Sequence, residues 1–339
     1  MSTAAVQTTA VRPPVVVVTG PTAAGKTGLA IDLALRFGGE IVNADSMQVF
    51  RFMDVGTAKP TPADRARAPH HLIDVVAPDE PYSAGLYARA ARKAIAAIHA
   101  RGRVPILTGG TGLYIRAVLH GLVDGIAADA ALRESLESEH RRAERAGDAG
   151  RLHRRLAESD PEAAARIHPH DTRRVVRALE IAAETGRPTS RVRGAHGFED
   201  SPYRTLHLAL ELDRDVLYAR IDHRCEAMIE SGLLQEVREL VKAGYRPDLR
   251  PMQAIGYRHV VPVMQGTDTL ANALHAMRRD TRQFARRQLT WLRRVPDAVW
   301  VDPAHAASIA DLVGAFLAAD PQQAAEGRAQ RGEAERSRI

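Results

Sequence analysis

The stretch Val15-Val16-Val17-Val18-Thr19-Gly20-Pro21-Thr22-Ala23-Ala24-Gly25-Lys26-Thr27 restricts the fold of this chain more than any other part of it. Four consecutive β-branched residues read as a buried parallel strand, and Leu29 to Leu35 continues with the apolar spacing of an amphipathic helix. Between them Gly20, Gly25, Lys26 and Thr27 satisfy G-x-x-x-x-G-K-[ST], a loop whose backbone N–H groups turn inward around phosphate oxygens. The helix N-terminus adds its dipole, and Lys26 adds a full positive charge. Strand, spacing and helix together set aside a chance glycine turn. A phosphorylated ligand is expected, with Mg²⁺ touching the Thr27 hydroxyl. Whether that ligand is ATP the loop leaves open.

The rest of the chain repeats this grammar. Glu40 to Ala44 reads as a second strand ending at Asp45-Ser46. Residues 51–82, rich in Pro, Gly and His, read as a long loop region with little regular structure, a length that usually signals function. Ser83 caps a helix to Ala100, and Val104 to Thr108 is a third strand leading into Gly109-Gly110-Thr111-Gly112-Leu113-Tyr114 and another helix. Strand, glycine turn and helix in this order predict an α/β fold, a P-loop NTPase-like doubly wound parallel sheet. Residues 125–200 show only helical spacing, broken at Pro161, Pro169 and Gly186, and read as a helical insertion domain. The core would then comprise 13–124 and 201–318. Its second part holds a strand from Arg204, a helix from Asp213 to Lys242 interrupted near Ser231-Gly232, a helix from Thr269 to Arg294 and a strand at Ala298–Val301. Residues 319–339 are polar and expected to be disordered.

The first dozen residues carry no apolar signal region and no segment approaches a membrane span, so a cytoplasmic protein without a membrane partner is expected. The single cysteine, Cys225, excludes an intramolecular disulfide and reads as a packing residue. A net charge of +6 leaves room for a polyanionic partner, depending on where the arginines sit.

Three groups of residues stand out beyond the loop. The strand Val104–Thr108 ends in Thr-Gly-Gly, without the carboxylate that organises Mg²⁺ in P-loop kinases. Asp45, at the end of the preceding strand, should face the ligand crevice as metal ligand, general base or helix cap. Arg220 and Arg224 lie one helical turn apart and point the same way. Arg278, Arg279, Arg282, Arg286, Arg287, Arg293 and Arg294 crowd one helix, opposed within it only by Asp280 and interleaved with Gln283, Gln288, Thr290 and Trp291. Guanidinium forks, amides and an indole suit phosphates, base edges and stacking, so nucleic acid is the expected partner of that helix. The insertion carries arginines too, but nearly as many acids.

Taken together, these stretches resemble the tRNA dimethylallyltransferases. The matching segments are Gly20 to Thr27, Asn43-Ala44-Asp45-Ser46-Met47-Gln48-Val49, Met53 to Pro60, Gly109 to Tyr114, Arg166-Ile167-His168-Pro169-His170-Asp171, Ala254-Ile255-Gly256-Tyr257-Arg258 and Arg286 to Arg293. They occur in family order and span about residues 15 to 300. The resemblance implies that the loop Gly20, Pro21, Thr22, Ala23, Ala24, Gly25, Lys26 and Thr27 holds the diphosphate of dimethylallyl diphosphate, with Mg²⁺, rather than ATP. The five-carbon group would pass to N6 of the adenosine just 3′ of the anticodon, in tRNAs reading codons that begin with U, after that base leaves its stack. Asp45 takes the position of the catalytic Asp. Lys26, Thr111 and Arg220, with Arg224 as a second-rank phosphate ligand, would stabilise the departing diphosphate, and Thr22 would lie between donor and adenine.

For the tRNA, family position points to Asp45, Ser46, Met47, Gln48, Thr111 and Arg133, and to Pro169, His170, Asp171, Thr172 and Arg173. It also points to Gln253, Ala254, Ile255, Gly256, Tyr257 and Arg258, and to Arg282, Arg286, Arg287, Gln288, Leu289, Thr290, Trp291, Leu292 and Arg293. The insertion would contact the anticodon arm, and a monomer is expected. His70 and His71 follow Pro69 in a matching loop but have no evident chemical role. Cys225 and the tail beyond about residue 320 lie outside the matched motifs, and the wording His170-Asp171-Thr172 varies within the family. A small-molecule or nucleotide kinase would also explain the loop, and a non-catalytic RNA-binding protein the arginines. Each leaves the other feature without purpose.

Overall fold

The computed structural model describes residues 12–122, 130–195 and 201–319. They form two compact units, one of residues 120–201 and one of the chain on either side. The larger unit is built on six parallel strands: β1 (Pro14–Thr19), β2 (Gly39–Asn43), β3 (His70–His71), β4 (Val104–Thr108), β5 (Arg204–Leu210) and β6 (Ala298–Val301). Their order across the sheet is β3-β2-β4-β1-β5-β6. The parallel sheet and doubly wound class are those read from the motif order.

Alternation along β1 explains why both faces are covered. Val15 and Val17 pack into one hydrophobic layer, Val16 and Val18 into the other, and all four are fully buried. Each such side chain contributes roughly 1.5 kcal/mol or more to folding. The helices Lys26–Phe37 and Ala306–Ala318 cover the face of Val16 and Val18. Helices Ala84–Ala100, Gly112–His120 and Arg214–Glu230 cover the face of Val15 and Val17.

One consequence fixes the site. The helix after β1 and the helix after β4 lie on opposite faces of the sheet, although β1 and β4 are neighbours. A crevice opens between the C-terminal ends of two such strands. It lies between the loop after Thr19 and the loop after Thr108, with the end of β2 beside it.

Other elements show where sequence patterns were sufficient. Ser83 accepts a hydrogen bond from the N–H of Leu86, as a capping serine should, and the long helix breaks at Gly232, whose φ is 94°. Cys225 is buried, its Sγ 3.8 Å from the Thr281 hydroxyl, which is a packing position. The region 51–82 is more ordered than its composition suggests. It contains the helix Pro62–Arg67, closed by a capping box between Thr61 and Asp64, and the two-residue strand β3 paired with Ile41 and Val42. Lys59, buried, donates to the carbonyl of Phe50 and to Asp54 and Asp74, each at 2.6 Å, and so ties the segment together. Two residues of strand and six of helix are too short to leave a periodic signal.

The smaller unit is helical: Ala130–Arg145, Arg151–Ser159, Pro161–Arg166, Thr172–Thr185 and Thr189–Ala195. Leu136, Leu152, Leu156, Ile167, Val175 and Val176 form its core. The tail from residue 320 lies outside the described residues. Among the described residues no helix is long and apolar enough to cross a membrane.

Candidate active site

The phosphate loop is shaped before any ligand arrives. Gly25 adopts φ 94°, in the left-handed region, and hands the chain to the helix Lys26–Phe37 without any side-chain cap. The first N–H groups of that helix are therefore available to an anion. Lys26 Nζ donates to the Pro21 carbonyl at 2.8 Å. Burial and the nearby Arg224 cation bring its pKa down to about 8, against the opposing pull of Asp45. Burial also lowers the pKa of Arg224, again opposed by Asp45. Two desolvated cations and one carboxylate thus share a small volume, an arrangement that favours an incoming dianion.

That volume is a cleft of about 360 Å³ lined by Thr22, Ala23, Gly25, Lys26, Thr27, Asp45, Gln48, Ala58, Arg220, His223, Arg224, Phe284 and Gln288. Arg220, His223 and Arg224 reach it from one face of the helix Arg214–Glu230, at spacings of three and four. The Arg220 guanidinium lies 4.0 Å from where a Cβ would stand on Gly25, so it hangs over the phosphate loop. A smaller cavity of about 40 Å³ adjoins, sharing Lys26, Thr27, Asp45 and Gln48 and adding Asn43 and His70.

Asp45 stands where β2 ends. Its Oδ1 accepts from the N–H of Met47 at 2.8 Å, which fixes the turn, and its own N–H donates to Asn43 Oδ1 at 3.2 Å. One oxygen caps the turn, and the second is unpartnered among the described residues.

The loop after β4 is packed against this turn by size as well as by hydrogen bonds. A Cβ on Gly109 would lie 2.3 Å from the carbonyl carbon and oxygen of Ala44, which are backbone and cannot step aside. Gly109→Ala should therefore cost about 2–3 kcal/mol. In thermal unfolding that is a Tm lower by roughly 5–10 °C for a unit of this size. An unchanged Tm would show that the Asp45 turn has room to move. Thr111 Oγ1 accepts from the Ser46 N–H at 2.9 Å and donates to the Ser46 hydroxyl at 3.2 Å. Thr111, expected as a donor to the leaving phosphate, also braces the Asp45 turn through Ser46.

Several residues expected at an RNA surface are engaged by other residues of the protein. Gln288 is buried: its Oε1 accepts from the Thr22 N–H at 2.8 Å and its Nε2 donates to the Gly110 carbonyl at 3.1 Å, so it braces the phosphate loop. Trp291 is half-buried, its ring within 2.4 Å of the space a Cβ would need on Gly112. Leu292 and Tyr257 are buried, and the Tyr257 hydroxyl donates to Glu236, which also receives the N–H groups of Asp54, Val55 and Gly56. In the smaller unit Arg133 is a bidentate partner of the buried Glu180 at 2.6 and 2.8 Å, and Asp171 caps the helix Thr172–Thr185. Thr172 Oγ1 bonds His140 Nε2 at 3.0 Å.

The arginine helix, Leu270–Leu292, is likewise partly engaged within the protein. Arg282 pairs with Asp222 and Arg278 with Glu226, both on the neighbouring helix, and Arg279 and Arg258 pair with Asp280. Charge unopposed within one helix proves opposed across two, a relation no single-helix reading contains. Arg286, Arg287, Thr290 and Arg293 are exposed, as are Pro169, His170, Arg173, Gln253 and Arg258. Ser46, Met47, Gln48, Ala254, Ile255 and Leu289 are half-buried, and Gly256 is buried. Gln48 donates to the carbonyls of Thr57 and Ala58 at 3.1 Å.

Sequence reasoning missed His223 and Phe284 at the cavities and named His70 without a role there. His223 could have been found from its place one turn beyond Arg220. Phe284 was hidden among the arginines.

The family model described as IPP transferase matches residues 48–295, and that of isopentenyl transferase matches residues 13–72. The chain belongs to the IPP transferase family. A tRNA dimethylallyltransferase of Desulfosudis oleivorans is 53% identical over 293 residues, covering 86% of this chain and 91% of the relative. Among solved structures, the full-length tRNA isopentenylpyrophosphate transferase of Bacillus halodurans is 39% identical, with a TM-score of 0.66, over 90% of this chain and 97% of that one. A eukaryotic dimethylallyltransferase captured acting on tRNA is 30% identical, with a TM-score of 0.74, over 86% of this chain and 74% of that one. The family is one of prenyl transferases, and this places the cleft around Lys26 and Asp45 in an enzyme.

Proposed function

We infer that this enzyme transfers the dimethylallyl group of dimethylallyl diphosphate to N6 of the adenosine just 3′ of the anticodon, in tRNAs reading codons that begin with U. The observation that carries this reading beyond family membership is the free oxygen of Asp45 beside a pair of desolvated cations. An exocyclic adenine nitrogen is a poor nucleophile because its lone pair is delocalised into the ring. Asp45 would hold the amine and take its proton as N6 bonds to the allylic carbon and the bond from that carbon to the diphosphate oxygen breaks. Lys26, the first N–H groups of its helix, Arg220 and Arg224 would stabilise the departing diphosphate.

The residues fit a divalent ion, which we assign as Mg²⁺. The Thr27 hydroxyl is exposed, borders both cavities and has no hydrogen-bond partner among the described residues. No group of three His, Cys, Asp or Glu that could hold a metal occurs among them, so the diphosphate would complete the shell. Bound there, the ion would neutralise charge on the diphosphate oxygens. The supporting experiment supplies unmodified tRNA, Mg²⁺ and either radiolabelled dimethylallyl diphosphate or ATP. Label from the first in tRNA is expected; phosphate transfer from ATP would support a kinase, and neither a binding protein.

The exposed arginines give the tRNA surface a separate test. Replacing Arg286, Arg287 and Arg293 with Gln keeps helix propensity and removes three exposed charges. Affinity for tRNA should fall, and the slope of log K against log salt should flatten by roughly two to three units. Arg282→Gln should change that slope little, because Asp222 already neutralises Arg282. An unchanged slope in the folded triple variant would remove this helix from the tRNA surface.

A further inference from the structure

His70 borders the smaller cavity, and the reaction described leaves its polar chemistry unused. It belongs to the edge strand β3, and its Nδ1 lies 2.8 Å from the Ala68 carbonyl. A carbonyl only accepts, so Nδ1 carries the proton and Nε2 presents a lone pair. Burial lowers the pKa of the ring, in keeping with this neutral form. Nε2 itself is buried and has no hydrogen-bond partner among the described residues. Such an orphan acceptor is destabilising unless something donates to it.

The surroundings supply a place for the donor. His70 borders the cavity of about 40 Å³ together with Lys26, Thr27, Asn43 and Asp45. A water needs roughly 10–15 Å³ and two to four polar partners. Asp45 has one oxygen without a partner, and Lys26 uses one of its three protons on Pro21. Lys26 and Asp45 are electrostatic neighbours, yet no direct ion pair joins them among the described residues. A water accepting from Lys26 and donating to Asp45 and to His70 Nε2 would satisfy all three.

We propose that His70 is a positioning residue for prenyl transfer, holding through Nε2 a buried water that fixes the free carboxylate oxygen of Asp45. The proposal rests on the reading of Asp45 as the proton acceptor. Without the imidazole the water loses one of three bonds, and the carboxylate can turn away from the amine. Geometry lost in this way lowers the chemical step without removing a contact to either substrate.

The test uses the full chain with His70→Leu and His70→Gln, alone and with Asp45→Ala. Gln places an amide oxygen near the position of Nε2 and can accept from the same water. His70→Leu should lower the single-turnover rate about tenfold, with the KM for dimethylallyl diphosphate and the Kd for tRNA within twofold of wild type. His70→Gln should recover most of that loss. In the Asp45→Ala background His70→Leu should have no further effect, since the two act as one unit. A folded His70→Leu variant at the wild-type rate overturns the proposal. So does a rate loss that Gln does not relieve, or one that multiplies undiminished onto Asp45→Ala. If Asp45→Ala alone keeps the wild-type rate, the base assignment falls instead, whatever His70 does.

Discussion

Asp45→Ala should lower the single-turnover rate of prenyl transfer by about 10²–10⁴, the usual worth of a positioned general base. Its affinity for tRNA should stay within a few-fold of wild type. Alanine removes two things at once, however: the free oxygen and the Oδ1 that receives the Met47 N–H at 2.8 Å. Asp45→Asn separates them. The amide oxygen can still cap the turn, while the NH₂ group can take no proton from adenine. If proton acceptance is the function, Asn and Ala should be similarly slow, and only Ala should lose thermal stability, by about 1 kcal/mol, as a lost cap does. Either variant retaining more than half the wild-type rate would remove Asp45 from the chemistry. A slow Ala with a fast Asn would make it a residue that only shapes the turn.

How much of this was legible in the sequence depends on the reach of each signal. Val15 to Thr27 declares a strand, a loop and a helix because all its determinants are local, and the buried valines and the left-handed Gly25 follow. Asp45 was legible for a topological reason, since parallel strands end on the same side and neighbouring ends share a crevice. What could not be read was partnership between distant segments. Arg282 meets Asp222 sixty residues away, and Arg133 meets Glu180 across the insertion. An arginine stripe looks the same in sequence whether an RNA or a neighbouring carboxylate neutralises it. Gln288 shows the same limit: its motif was recognised, but an amide that bridges Thr22 to Gly110 is a feature of packing between the helix and two loops. The glycines of Gly109-Gly110-Thr111-Gly112 were read as a turn. The structure shows them kept small by Ala44, Gln288 and Trp291, none of which is near in sequence.

Lys26→Ala should weaken binding of dimethylallyl diphosphate by roughly 10- to 100-fold, the range of a charge-assisted hydrogen bond of about 1.5–3 kcal/mol, with little effect on tRNA affinity. The same lysine gives the wild-type enzyme a distinctive pH response. Its pKa is about 8, well below the ordinary 10.5, because burial and Arg224 outweigh Asp45. Below pH 8 the ammonium is formed and the donor is held by a full charge. Above it the free protein carries neutral Lys26, and binding must first take up a proton. Donor affinity, measured without divalent metal, should therefore fall as pH rises through about 8, approaching tenfold per pH unit for one linked proton. Arg220, Arg224, Asp45 and His223 also face the cleft, His223 from an exposed position. Lys26→Arg provides the control. Arginine stays charged throughout, so its donor affinity should be flat between pH 7 and 9, even though its fork sits differently against the Pro21 carbonyl. If the wild-type affinity is equally flat, Lys26 is fully protonated without its ligand, and the loop draws its phosphate affinity from the helix N–H groups and Arg220 rather than from a lysine that charges on binding.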